Sequence, residues 1–260
     1  MRKVLVIGIG AGDPDHVTAQ AVRALNAADV FFALDKGDDR ADLAAVRRTI
    51  CDRYVEGPYR TVTVPDPPRD LGGPSYRDDV AAWHERRVDI YERFVRDELA
   101  DDGCGAILVW GDPALYDSTL RILDRVAARG RVGFTIEVVP GISSVQVLAA
   151  RFGIALHGVG DPVHITTGRR LAEGWPAGAG DDVVVMLDGR CSFRHLDPSD
   201  VTIYWGAYLG TPDEMLISGP LADVAGEIER ARAAARSRKG WMFDTYLLRR
   251  TSPGGPAGGL

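Results

Sequence analysis

Cysteine is scarce in this chain of 260 residues: Cys51, Cys104 and Cys191 are the three present, and they lie far apart. They form no CxxC pair and no Cys/His cluster. A zinc site or a disulfide framework is therefore not indicated, and reduced thiols in a cytoplasmic protein are the simpler reading. A surplus of positive charge is lacking too: 31 Lys and Arg stand against 37 Asp and Glu, a formal net charge of −6. General nucleic-acid binding needs a broad basic excess to neutralise phosphates, so it is not expected, although a local basic pocket for a small anion remains open. Long apolar runs are also missing. The N-terminal run Val4-Leu5-Val6-Ile7 is too short for a signal-peptide core or a membrane span, so neither export nor membrane insertion is expected. No internal repeat is visible.

What is present alternates between strand and helix patterns. Val4 to Ile7 reads as a strand buried on both faces, because a continuous apolar run leaves no face for water. Helical spacing follows from Thr18 to Ala28, a second strand from Val30 to Leu34, and a helix through Leu43, Val46, Ile50 and Tyr54. A proline-rich loop from Pro58 to Pro74 breaks the pattern. A long amphipathic helix runs from Asp78 to Leu99, then come a strand at Ala106–Trp110, a helix at Ser118–Arg129, a strand at Phe134–Val139 and a helix from Ser143. This alternation predicts an α/β domain over residues 1–152 with a mostly parallel sheet. The second half, 153–250, offers five strands (163–167, 183–187, 202–205, 215–218 and 242–248). Only two helical stretches accompany them, near Arg169 and at Leu221–Ser237, which predicts a mixed sheet with antiparallel pairs. The Gly/Pro segment 251–260 reads as a flexible tail.

Three turns follow strands at positions where open α/β sheets bind ligands. The first is Gly8-Ile9-Gly10-Ala11-Gly12-Asp13-Pro14. Asp13 occupies the position that a dinucleotide fingerprint gives to a third small residue, and its carboxylate would repel a pyrophosphate. The plain reading is a tight turn, with Asp15 or Thr18 capping the next helix. The second is Trp110-Gly111-Asp112-Pro113-Ala114-Leu115-Tyr116, and the third is Pro140-Gly141-Ile142-Ser143-Ser144. Capping explains one of those serines; the pair also supplies hydroxyls and backbone N–H groups for a ligand.

Taken in order, Gly8-x-Gly-x-Gly-Asp-Pro, Ala28-Asp29-Val30, Gly111-Asp112-Pro113-x-x-Tyr116 and Pro140-Gly-Ile-Ser-Ser144 resemble the motifs of the tetrapyrrole (precorrin) methylases. With Gly206 to Glu214, the resemblance covers nearly the whole chain. Residues 34–37, 64–70, 109–119, 164–170 and 239–241 are most similar to the deacetylating branch of that family. The resemblance implies a two-domain tetrapyrrole methylase-like α/β fold, a mostly parallel N-terminal sheet, a mixed C-terminal sheet, and S-adenosylmethionine in a cleft between the domains. It implies methylation of precorrin-5 at C-1 with release of acetate to give precorrin-6A, S-adenosylhomocysteine as by-product, and a homodimer. Transferred residue by residue, the cofactor contacts are Gly111, Asp112, Pro113, Tyr116, Ser143 and Ser144, with Met186, Leu187, Ala207 and Leu209 from the second half. The glycine loop, through Gly10, Gly12 and Asp13, is implied to face the substrate. One departure matters: many relatives carry Tyr-Asp after the second strand, whereas Leu34 precedes Asp35 here, so no role of that phenol transfers.

Methyl transfer from a sulfonium is a direct displacement that positioning can serve, and it requires no metal. Acetyl removal needs a base to activate water and donors for the oxyanion. His84, whose imidazole titrates near neutrality, and Asp35 at a strand's carboxyl end are the candidate bases, with Asp66 a rival. Lys36, Arg77 and Arg87 are candidates to hold the carboxylates of an anionic precorrin, while further basic residues such as Arg69, Arg86, Arg169 and Arg170 read mainly as solvated face. Alternatives are a related methylase of another precorrin, an RNA or protein methyltransferase of the same fold, or a silent module that keeps the fold.

Overall fold

A computed structural model of the chain describes residues 1–35, 37, 41–68 and 76–250, without the side chains of 41–43, 76 and 77. Lys36, Arg69, the side chain of Arg77 and the tail 251–260 thus lie outside the described residues. The chain divides into two compact units between Ser143 and Ser144.

The first unit is a five-stranded, all-parallel sheet in the order β3-β2-β4-β1-β5. Its strands are β1 (Arg2–Gly8), β2 (Val30–Asp35), β3 (Arg60–Pro65), β4 (Cys104–Val109) and β5 (Phe134–Val139). Alternation of side chains fixes which residues meet which helix layer. Val4 and Val6 join Phe32, Ile107 and Val109 on one face, under α3 (Tyr76–Glu98) and α4 (Thr119–Arg129). Leu5 and Ile7 join Phe31, Ala106 and Leu108 on the other, under α1 (Ala19–Asn26) and α2 (Ala41–Tyr54). The central apolar run is therefore covered twice, as its composition predicts. Thr18, one of two candidate caps, accepts the Ala21 N–H at 3.1 Å and starts α1.

One expectation fails. The stretch read as a proline-rich loop contains β3, which pairs in parallel with β2 from Arg60 to Pro65. Its alternation of Thr61, Val62, Thr63 and Val64 is a strand pattern with one half-buried face. Pro65 is tolerated because it ends an edge strand, where a missing N–H breaks no inner ladder.

The second unit begins with α5 (Ser144–Phe152). Its mixed sheet has the order β6-β7-β10-β8-β9, with β6 (His164–Thr167) parallel to β7 (Asp182–Met186) and every other pair antiparallel. The remaining strands are β8 (Val201–Ala207), β9 (Met215–Pro220) and β10 (Asp244–Arg250), with short α6 (Gly168–Leu171) and long α7 (Leu221–Lys239). All five strands expected of this half are present. Among the described residues, no helix is long and apolar enough to cross a membrane.

Gly8, Gly111 and Gly141 meet backbone to backbone at the carboxyl edge of the parallel sheet. A Cβ on Gly8 would lie 2.6 Å from the Gly141 nitrogen and 2.8 Å from the Gly111 oxygen, and one on Gly141 would collide with the same Gly111 oxygen. No rotamer relieves a clash with backbone, so Gly141→Ala should cost about 3 kcal/mol, the upper end of overpacking penalties. That lowers the thermal midpoint by roughly 10 °C for a chain of this size. Gly133→Ala, with nothing within 4 Å of the added carbon, should leave the midpoint unchanged within about 2 °C. Equal midpoints for the two variants would reject the contact.

Candidate functional site

The site begins where β1, β4 and β5 end side by side. Beyond the strands the ladder continues: Ile9 N–H donates to the Val109 carbonyl at 3.0 Å and Gly111 N–H to the Gly10 carbonyl at 2.8 Å. Gly10 and Gly111 have φ of +83° and +70°, a region open to glycine, so the two loops turn while staying joined. Asp112 ties in the third loop. One carboxylate oxygen accepts the Ala114 N–H and the other the Gly141 N–H, both at 2.8 Å. Pro113 follows in the same turn. Asp112 thus acts on the loop backbones directly, an assignment that the motif alone did not reveal. Tyr116, with φ of +52° and its side chain exposed, stands at the mouth of this loop, while Ser143 is buried.

Asp13 is engaged by the glycine loop itself: its carboxylate accepts the Asp15 N–H at 2.9 Å and caps a single 3-10 turn, Pro14–His16. Gly10 and Gly12 are buried beside it. The turn is braced from α2 by Arg53 on Asp15 and by the Tyr54 hydroxyl on the Pro14 carbonyl at 3.0 Å. His16 packs so close to Gly10 that a Cβ there would overlap it, and the His16 Nδ1 is buried with no hydrogen-bond partner among the described residues. In the sequence His16 is marked by its adjacency to the glycine loop alone.

At the ends of β2 and β3, Asp35 is exposed and accepts the Gly37 N–H at 2.9 Å, while its carbonyl takes the Asp66 N–H at 2.7 Å. Asp66 grips Arg87 through both oxygens, with Nε at 2.8 Å and a second, shorter bond from Nη2. Arg87 is buried, stacks 3.7 Å over the Trp83 ring centroid, and reaches Ser118 Oγ at 3.4 Å. A desolvated guanidinium so fully engaged braces the segment after β3. His84 is half-buried beside Trp83, ring centroids 5.2 Å apart. Arg47, which no motif in the sequence marks, donates from α2 to the Leu108 carbonyl at 3.3 Å. Burial pushes its guanidinium below the ordinary value, opposed by Tyr91 and Asp117 nearby.

In the second unit, Thr245 on β10 faces Met186 of β7 on one side and Gly206 of β8 on the other. Its buried hydroxyl pairs with Ser144 Oγ at 2.8 Å. Thr245 was not singled out in the sequence, where it stands between Asp244 and Tyr246 and carries no distinguishing pattern. Leu187 and Tyr208, immediately after β7 and β8, adopt positive φ of 54° and 48°. Non-glycine residues hold such angles only where surroundings enforce them. For Tyr208 the restraints are its N–H on the Phe243 carbonyl at 3.0 Å and its hydroxyl on the Trp241 carbonyl at 2.6 Å. For Leu187 the restraint is the next residue. The buried Asp188 carboxylate accepts from the backbones of Arg190 and Ser192, the Ser192 hydroxyl and, at 2.7 Å, the Tyr246 hydroxyl. Met186, Leu187, Ala207 and Leu209 therefore share one sheet edge around Thr245, with Leu187 exposed and Ala207 and Leu209 buried.

Lys3 to Ala225 match the family model of the tetrapyrrole (corrin/porphyrin) methylases. Over 251 residues, 96% of each chain, the sequence is 52% identical to a precorrin-6A synthase [deacetylating] of a Sinorhizobium species. It is 28% identical to a precorrin-2 C(20)-methyltransferase of Sinorhizobium across 72% of this chain and 74% of that one. Among solved structures, a putative cobalamin synthesis related protein (CobF) from Corynebacterium diphtheriae superposes with a TM-score of 0.83 at 37% identity, covering 97% of this chain and 100% of the other. A uroporphyrin-III C-methyl transferase from Thermus thermophilus complexed with S-adenyl homocysteine shares the fold, with a TM-score of 0.53 at 19% identity over 95% and 92% of the two chains. On the strength of the near-complete family match, this chain belongs to the tetrapyrrole methylases.

Proposed function

We propose that this chain is an S-adenosylmethionine-dependent C-methyltransferase that converts precorrin-5 to precorrin-6A, methylating C-1 and releasing acetate. The observation that carries the reading is 52% identity across 96% of both chains to a precorrin-6A synthase [deacetylating].

The residues fit a nucleoside-bearing sulfonium. The glycine contacts at the carboxyl edge bring loop backbone where side chains would otherwise intrude, and no phosphate-binding helix start is needed. The proposed cofactor contacts are Gly111, Asp112, Pro113, Tyr116, Ser143, Ser144, Met186, Leu187, Ala207 and Leu209, with Thr245 added. When bound, the cofactor supplies an electrophilic methyl group. The protein's own work is then alignment and proton handling. Asp35 has one oxygen engaged by Gly37 and, among the described residues, the other without a partner, which suits a base better than Asp66, whose two oxygens both bind Arg87. His84 is the second candidate base. Addition of water to the acetyl carbonyl, followed by loss of acetate, leaves the bond pair on the ring carbon, which then takes the methyl group. Backbone N–H groups from Gly10 to Gly12 are the proposed oxyanion donors, with Ala11 and Gly12 carrying the role because the Gly10 N–H donates to the Gly111 carbonyl at 3.4 Å. Arg47 joins Lys36 and Arg77 as a proposed anchor for precorrin carboxylates, while Arg87 serves through Asp66. The working form is proposed to be a cytoplasmic homodimer; light scattering should give about twice the 28.1 kDa chain mass, and a monomer throughout the micromolar range would reject it.

Three measurements test this reading. Purified protein given precorrin-5 and methyl-labelled S-adenosylmethionine should yield a product with one labelled methyl gained and one acetyl lost; a methylated product that keeps its acetyl would assign the chain to another precorrin. Asp112→Asn leaves one of the two loop N–H groups facing an amide, and should weaken S-adenosylhomocysteine binding about tenfold by calorimetry, the scale of one unsatisfied buried group. An unchanged affinity with an unchanged far-ultraviolet spectrum would remove Asp112 from the site. Asp35→Asn and His84→Ala should be compared for acetate release and cofactor affinity. The true base loses release by roughly a hundredfold or more and keeps its affinity. If both variants release acetate at the unmodified rate, neither is the base.

A further inference from the structure

The second unit contains a cavity of about 350 Å³ between the loop after β7 and the face of α7. Four guanidiniums line it: Arg190 and Arg194 from the loop, Arg232 and Arg236 from successive turns of the helix. One carboxylate, Glu229, stands among them and is taken by Arg194 at 2.7 Å. Arg232 is buried, and its charge is met from beneath by Asp244 at 2.8 Å; its other nitrogens hold the carbonyls of Asp188 and Gly189. Among the described residues, Arg190 and Arg236 enter no ion pair, so two positive charges face the cavity without compensation. This occurs in a chain whose net charge is −6.

The pocket is also built rather than improvised. Arg190 is anchored by its own N–H on the buried Asp188 carboxylate at 2.9 Å, and Ser192 by its N–H on the same group at 2.6 Å. The loop is thereby fixed against β10 through Tyr246. The recess is open to solvent on one side and has room for a small ion. Guanidinium forks recognise paired oxygens of carboxylates and phosphates by two parallel bonds each, which lysines would not do. We propose that this pocket binds a small oxyanion carrying two neighbouring negative groups, a pyrophosphate or a vicinal dicarboxylate, with Arg190 and Arg236 as its forks and Arg232 as the fixed base. The site is independent of the methyl-transfer reading.

The test is calorimetry of the whole chain at low salt with pyrophosphate, citrate and acetate, without cofactor. Pyrophosphate or citrate should bind at least tenfold more tightly than acetate. Tighter pyrophosphate identifies a phosphate ligand and tighter citrate a carboxylate one, and either supports the pocket. The Arg190→Ala/Arg236→Ala double variant should lose at least tenfold of that affinity while its thermal midpoint holds. Arg230→Ala, exposed on the same helix and outside the cavity lining, should bind like the unmodified chain. Dianions that bind no better than acetate, or equal binding by the double variant, would overturn the proposal.

Discussion

Everything described at the carboxyl edge of the first unit depends on three glycines whose backbones touch. Gly8 ends β1, while Gly111 and Gly141 lie just beyond β4 and β5, and loops that leave neighbouring parallel strands diverge unless something keeps them together. Here the absence of Cβ atoms permits contact, the Gly10–Gly111 bridge extends the ladder, and the Asp112 carboxylate joins two loop amides that would otherwise seek water. Tyr116 and Ser143 stand on a backbone surface that cannot easily move. Close-packed backbone of this kind is costly to disturb and is well suited to holding reactants in a fixed attitude, which is the main demand of a direct displacement.

The second unit reaches a similar rigidity by other means. Its edge relies on side chains buried beneath it: Asp188, Arg232, Asp244 and Tyr246 form one connected set with Trp205 donating to Asp244 at 3.1 Å. Burial pushes the Asp244 carboxyl and the Tyr246 phenol upward, with Arg232 and Trp205 restraining the former. Such a network is stable only when every member is satisfied, and in return it holds Leu187 in a conformation its backbone would not choose. The same arginine also forms the base of the cationic cavity, so one side chain ties the strained turn to the pocket behind it.

Legibility in the sequence followed the strength of periodicity. Val4 to Ile7 and Phe134 to Val139 were readable because apolar runs and β-branched residues admit few alternatives, and the five strands of the second half were marked by turn residues on both sides. β3 was lost because Pro65, Pro67 and Pro68 outweighed a weak alternation on a strand with one buried face. The site was legible as motifs but not as contacts. Gly-Asp-Pro marked the right turn, yet only coordinates show Asp112 holding Gly141 from another loop. Arg87 read as a free basic residue because its partner, Asp66, lies beyond a turn that sequence spacing cannot fold. Thr245 and Arg47 were missed, and His16 ranked below His84, since a single polar residue gains meaning only from what surrounds it.

Hydrogen–deuterium exchange with and without S-adenosylhomocysteine tests the central claim most directly, because it reads the loop amides themselves. The account predicts slower exchange at the amides of residues 110–112, 114 and 141–145 when the nucleoside is present, with the outer edge strand β3 unaffected. Unchanged exchange in both loops, at concentrations where calorimetry shows binding, would contradict it.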